Sequence, residues 1–144
     1  MKILIFGLPG SGKTTLAKPF SELIGGVHIN ADAVRKAYND WDFTPEGRIR
    51  QAQRMKYLSD GVVMAGKIAV ADFVCPTDQA RTEFNADYTV WMDTIKEGRF
   101  EDTNKMFEAP TNYDFRVTHK EADMWAYLIK QDITEKHSNL GPHR

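Results

Sequence analysis

The chain has 144 residues, enough for one domain, and its 42% hydrophobic and 27% charged side chains can build a buried core of ordinary size. A formal net charge of -1 argues against general affinity for nucleic acid or anionic membranes, and the single cysteine, Cys75, excludes a disulfide framework and a cysteine-based zinc site. The apolar run Ile3-Leu4-Ile5-Phe6 stops at Gly7, too short for a signal-peptide core, and GVVMAGKIAVA is broken by Lys67 and too short to span a bilayer, so a cytoplasmic protein without a membrane partner is expected.

Residues 2–6 are rich in β-formers and read as a buried strand. A helix is predicted over 13–24, with Pro19 inside it expected to kink or shorten it. Residues 27–29 read as a second strand, and Asn30 is placed to cap a helix over 31–38. Thr44 caps a long helix with Pro45 at its first position and an apolar stripe of Ile49, Ala52, Met55, Leu58, Val62 and Ala65. A third strand over 67–73 ends at Cys75-Pro76, a short helix follows over 77–84, and a fourth strand over 88–93. Residues 94–112 are polar and mixed, a loop with room for one short helix, and 114–117 form a fifth strand. Thr118-His119-Lys120-Glu121 has capping-box spacing and opens a final helix with Met124, Trp125, Leu128 and Ile129 on its apolar face. Trp91 and Trp125 are expected in the core. Trp41 reads equally as a lid over a ligand or a packed loop aromatic. His28, His119, His137 and His143 share no metal-like spacing and read as structural or tail residues.

Strands alternating with helices predict an α/β fold, a three-layer parallel sheet of about five strands with helices on both faces, and GLPGSGKT at 7–14, after the first strand, makes it the phosphate-loop NTPase or kinase type. A single domain spans 1–136 and a tail 137–144. Ligands of such sheets sit beyond the carboxyl ends of the strands.

Gly7, Gly12, Lys13 and Thr14 satisfy G-x-x-x-x-G-K-[ST] between a strand and a helix. Gly7, Pro9, Gly10, Ser11, Gly12, Lys13, Thr14 and Thr15 are thereby predicted to cradle the phosphates of ATP, with backbone N–H groups turned inward at a helix N-terminus. Lys13 reaches for the β- and γ-phosphates and the Thr14 hydroxyl for Mg²⁺. Asp72 closes an apolar strand, the usual form of the second Mg²⁺-binding element, and Asp32 follows the second strand where a carboxylate can act as general base on an acceptor hydroxyl. Thr14, Asp32 and Asp72 are the candidate metal ligands, and Lys13 and Asp32 the candidate catalytic residues.

Arg35 lies one helical turn after Asp32. Arg48, Gln51 and Arg54 are spaced by three on one face of the long helix, away from its apolar stripe, and Phe43 stands just before that helix, where an aromatic can stack on a flat ring. Cations, an amide and an aromatic suit an anionic, nucleotide-like small molecule.

These residues carry a resemblance to the adenylylsulfate kinases. GLPGSGKTTLA resembles the family's G-L-[SP]-G-[AS]-G-K-[ST]-T-[LI]-A, NADAVR at 30–35 resembles D-G-D-N-V-R, and FTPEGRIRQAQR at 43–54 resembles F-S-P-E-D-R-x-E-N-I-R-R. FVCP at 73–76 resembles F-I-S-P, and FEAP at 107–110 resembles Y-E-x-P. The resemblance implies transfer of a phosphate from ATP to the 3′-hydroxyl of adenosine 5′-phosphosulfate, with Asp32 near that hydroxyl. It implies that Arg35, Arg48 and Gln51 hold the phosphosulfate and that Phe43 stacks on the adenine. Val74, Cys75, Pro76 and Phe107 then lie beside the same ligand, and a homodimer is implied as well. The departures are Asn30 and Gly47 where the family has aspartates, Gln51 for an asparagine, and Asp72 for a small residue. The segment between Asp93 and Phe107 also lacks the family's R-D-x-K-G-L-Y stretch, leaving Arg99 and Lys105 to cover the phosphates. Two alternatives remain open: a kinase for another nucleoside, nucleotide or polynucleotide end, and a nucleotide-binding module with little catalysis.

Overall fold

In the computed structural model, residues 1–98 and 100–137 are described; Arg99 and nearly all of the predicted tail, 138–144, lie outside the described residues. Among the described residues five parallel strands, β1 (Lys2–Gly7), β2 (Val27–Asn30), β3 (Ala69–Asp72), β4 (Tyr88–Met92) and β5 (Phe115–Val117), form one sheet in the order β2-β3-β1-β4-β5. The described residues also form six helices: α1 (Lys13–Ile24), α2 (Ala31–Tyr38), α3 (Pro45–Met64), α4 (Asp78–Phe84), α5 (Glu101–Met106) and, after β5, α6 (Ala122–Lys136). The sheet is covered on both faces, which is why β1 reads as an unbroken apolar run. Ile3 and Ile5 point into a core with Leu16, Phe20, Tyr88 and Ile129, while Leu4 and Phe6 point into a second core with Val34, Met55, Phe73 and Phe84.

β1 lies at the centre, hydrogen-bonded to β3 on one side and β4 on the other. After β1 the chain passes to the β2-β3 side, and later crosses back to β4 and β5. The loop leaving β1 therefore opens into the crevice where the strand order changes direction.

Expectations change on three helices. Helix α1 is not shortened at Pro19; it runs on to Ile24. The capping box at 118–121 does not form: α6 starts from Glu121 with no side-chain cap hydrogen bond. Its inward face is Ala126 and Ile129 with the partly buried Trp125 and Ile133, whereas Met124 and Leu128 are exposed. On α3 the most buried positions are Gly47, Gln51, Met55 and Ser59, a polar-containing i,i+4 row, and Ile49 is left outside. Gln51 is thus on the inward face rather than beside a solvated arginine row.

No helix among the described residues is long and apolar enough to cross a membrane.

Candidate active site

The phosphate loop begins where β1 runs into Gly7. A Cβ there would meet Met92 O on β4 at 2.8 Å, so only glycine lets the strands stay paired at this point. Gly12 has φ 97°, a left-handed conformation that turns the chain into α1. The loop's carbonyls are satisfied by surrounding side chains. Lys13 Nζ donates to Gly7 O and Leu8 O at 3.0 Å, Thr94 Oγ1 to Ser11 O at 2.7 Å, and Lys120 Nζ to Gly10 O at 3.0 Å. With these carbonyls bound to donors around the loop, the N–H groups at the start of α1 remain as the anion-binding element.

Next to the loop, four side chains from three elements converge. Asp72, at the end of β3 and 2% exposed, accepts a hydrogen bond from Thr14 Oγ1 at 3.2 Å. Asn30, paired in register with Asp72, donates from Nδ2 to Thr14 Oγ1 at 3.1 Å and to Asp72 Oδ2 at 3.2 Å. Its amide cannot turn the other way, because Oδ1 accepts the Ala33 N–H at 2.9 Å and so caps α2. His28 Nε2 makes a short contact with Asp72 Oδ2. An aspartate at position 30 would set two carboxylates face to face here; the asparagine donates instead. Thr14 and Asp72 offer hard oxygen ligands, and no group of three His, Cys, Asp or Glu that could hold a metal exists among the described residues. Such a sparse set fits Mg²⁺, which is held by one or two protein oxygens together with substrate phosphates.

Across the cleft, Phe43 and Arg48 face the ligand space. The Arg35 guanidinium lies over the Phe43 ring at 4.1 Å, with Arg48 at 5.7 Å. Arg35 is buried and donates to Asp40 O at 2.9 Å and Asp42 O at 3.1 Å; burial pulls its pKa down, opposed by Asp40. Arg54 donates to Asp40 Oδ2 at 2.5 Å, and Gln51 Nε2 to Ala31 O at 2.9 Å. Hydrogen bonds from Arg50 and Arg54 hold the Asp40 carboxyl well below the usual range, and those from Thr44 and Arg50 lower Asp42 to about 2. The loop from Asn39 to Thr44 is therefore a charged latch that the neighbouring arginines maintain. Arg48 also donates to Phe43 O at 2.9 Å and Thr103 Oγ1 at 3.2 Å, with Asp102 Oδ2 at 3.4 Å, which ties α5 to α3.

The cleft between the two halves has a volume of about 880 Å³, within the range of small-molecule sites. Pro9, Gly10, Gly12, Lys13, Thr14, Thr15, Asp32, Phe43, Arg48, Asp72 and Val74 line it. Gly7 and Ser11 lie buried beneath the loop, and Arg35 and Gln51 stand behind Phe43 and α2. Cys75 is buried in the second core, where desolvation pushes its thiol pKa up to about 12. Pro76 and Phe107 do not line the cleft; Pro76 O accepts the Glu108 N–H at 2.7 Å, and Phe107 packs against the Arg81 guanidinium at 5.1 Å. Lys105 is exposed and 3.7 Å from Glu101, and Arg99 lies outside the described residues.

Residues that sequence reasoning did not place also line the cleft. Phe100, Asp102 and Thr103 come from the short segment before and within α5, and His119, Lys120 and Trp125 from the entry to α6. Trp41, which the sequence leaves open between a lid and a packed loop aromatic, is exposed and also lines the cleft. Lys120 had one usable signal, a cation just after the fifth strand on the rim where ligands sit. The other five are brought in only by the tertiary path of the chain.

A family model of adenylylsulphate kinase matches residues 1–100. A probable adenylyl-sulfate kinase of Aeropyrum pernix is 33% identical over 85 residues, and an adenylate kinase of Pyrococcus furiosus is 36% identical over 88. These matches cover 55% and 60% of this chain but only 46% and 37% of those proteins. Among solved structures, the Mycobacterium tuberculosis APS kinase in complex with AMPPNP and APS superposes with a TM-score of 0.77 at 17% identity, covering 92% of this chain and 96% of that one. At that identity the superposition speaks for the fold, a phosphate-loop kinase fold. The family match spans β1 to β4, the phosphate loop, the Thr14–Asn30–Asp72 cluster and Phe43 with Arg48, and on it the chain belongs to the adenylylsulphate kinase family.

Proposed function

We propose that the chain transfers the γ-phosphoryl group of ATP to the 3′-hydroxyl of adenosine 5′-phosphosulfate. One observation carries this reading. Asp32, the second residue of α2, lines the same cleft as Lys13, Thr14, Phe43 and Arg48, so one cavity gathers a carboxylate, a phosphate-loop lysine and threonine, and an aromatic with a guanidinium. Family membership and the AMPPNP and APS named for the tuberculosis structure support the choice of substrates.

In this reading the loop N–H groups and Lys13 hold the triphosphate and offset charge on the moving phosphoryl group. Asp32 accepts the proton of the acceptor hydroxyl and orients it for in-line attack. Phe43 stacks on the acceptor's ring, and Arg48 contributes the cation nearest its anionic group. Thr14 and Asp72 are the residues that would hold Mg²⁺, which when bound neutralises charge between the phosphates.

A second reading, another nucleoside or nucleotide acceptor, is favoured by the engagement of Arg35, Gln51 and Arg54 with backbone and loop carboxylates. Arg48 is then the one of these four that faces the cleft. A panel of acceptors incubated with ATP and Mg²⁺ separates the readings. The expected result is a 3′-phosphorylated product from adenosine phosphosulfate, lost by at least about a hundredfold in Lys13→Ala and Asp32→Ala variants that keep the parental melting temperature. Phosphorylation of a different acceptor in place of this one would overturn the substrate assignment.

A further inference from the structure

We propose that His28 is a positioning residue that holds the Asp72 carboxylate for metal binding. The proposal rests on reading Asp72 as a Mg²⁺ ligand; it does not depend on which acceptor is used.

His28 and Asn30 are two residues apart on β2 and so project to the same side of the sheet. Asp72 lies opposite Asn30, one diagonal step from His28. Both side chains reach the same carboxylate. An ionised carboxylate only accepts hydrogen bonds, so the His28 Nε2 facing Asp72 Oδ2 is the nitrogen that carries the proton.

The division of Asp72's two oxygens gives this contact a purpose. Oδ2 is occupied by His28 and Asn30, while Oδ1 faces Thr14 Oγ1. The Thr14 hydroxyl gives its single proton to Asp72, accepts from Asn30 with one lone pair and keeps the other for a cation. Beside His28, Asn30 also donates to Oδ2, but its Nδ2 is shared with Thr14 Oγ1 and also lies 3.4 Å from Asp72 Oδ1. Without His28, Asp72 could rotate and withdraw Oδ1 from the phosphate side. His28 is only 17% exposed, so its ring is confined by packing and holds one orientation. Partners that orient a ligating carboxylate typically change metal affinity ten- to a hundredfold when removed.

The test measures Mn²⁺ binding by electron paramagnetic resonance in the presence of a non-hydrolysable ATP analogue, with analogue binding in EDTA measured in parallel. His28→Phe fills the space without a donor and is expected to weaken Mn²⁺ binding about tenfold or more, with metal-free analogue affinity unchanged. His28→Gln, which keeps a donor of similar reach, should restore most of the loss. His28→Asn, polar but too short to reach, should not, and it serves as the loss-of-contact variant if the phenylalanine fails to fold. Parental Mn²⁺ affinity in both His28→Phe and His28→Asn overturns the proposal. So does a parallel loss of metal-free analogue binding, which would make His28 merely structural. Parental Mn²⁺ affinity in Asp72→Asn would instead show that the reading of Asp72 itself is wrong.

Discussion

Gly47 is the third residue of α3, and its amide donates to the Thr44 hydroxyl that caps the helix. The kinases that the chain resembles carry an aspartate there. A Cβ at this position would sit 2.2 Å from Asp42 O and 2.5 Å from Asp42 Cγ, inside the charged latch. The two physical effects of Gly47→Ala oppose each other. Helix propensity alone predicts a gain of about 1 kcal/mol, whereas displacing the Asp42 backbone predicts a loss of about 1–3 kcal/mol. The contact is too short to be relieved by a side-chain rotation, so a net loss is expected for both Gly47→Ala and Gly47→Asp, read as a lower denaturation midpoint in urea. A stabilised alanine variant would show that the latch yields. Lys13, Thr14, Asn30 and Asp72 were legible in the sequence because motif spacing and strand ends fix them locally. His28 was not, since its contact depends on the β2–β3 register. Nor were the commitments of Arg35 and Gln51, whose partners are backbone carbonyls of other segments.

Helix boundaries read best where a side chain caps the first turn. Asn30, Thr44 and Thr77 each accept a backbone N–H at the start of α2, α3 and α4, and those starts were legible. Helix α5 has no side-chain cap and is held from outside, by Arg48 on Asp102 and Thr103 and by the reciprocal bonds between Asn104 and Gly98. Gly98 in turn packs closely against Pro9 of the phosphate loop. In this short segment Gly98 thus meets the phosphate loop, and Asp102 and Thr103 meet Arg48 of α3. In this arrangement Asp102, 3.4 Å away, competes with any anionic ligand for the Arg48 guanidinium. Asp102→Asn removes that competition while Thr103 keeps α5 in place. Because the Asp102 side chain is 71% exposed, the effect should be modest. KM for an anionic acceptor is expected to fall about two- to fivefold with kcat little changed. An unchanged KM would mean that Arg48 does not meet the acceptor's charge.

At the scale of the molecule, one arginine joins parts of the fold that the sequence keeps far apart. Arg81 on α4 is 8% exposed and packs against Phe6 of β1 at 4.5 Å and Phe107 at 5.1 Å. It donates to Cys75 O at 2.9 Å, Asp78 Oδ1 at 3.0 Å and Glu108 O at 2.7 Å. The exit of β3, the start of α4 and the segment after α5 are therefore pinned to one guanidinium. Burial lowers its pKa from the ordinary arginine value, with Asp78 opposing, and a guanidinium stays charged at any working pH. Replacing Arg81 by leucine keeps an apolar stem but withdraws the guanidinium from both rings, and it leaves the Cys75 and Glu108 carbonyls without this donor. That combination is expected to cost about 3 kcal/mol. For a chain of this size the corresponding fall in melting temperature is roughly 6–12 °C. Arg81→Lys keeps the charge but loses the fork that reaches three acceptors at once, so it should recover only a minor part of the loss. The leucine variant also tests how Arg81 is coupled to the cleft, because the segment that it anchors leads back through α5 to Arg48. If Arg81→Leu lowers stability while acceptor KM stays at the parental value, α5 is held by Arg48 and Gly98 alone; a rise in KM of several-fold would place Arg81 in the support of the acceptor wall.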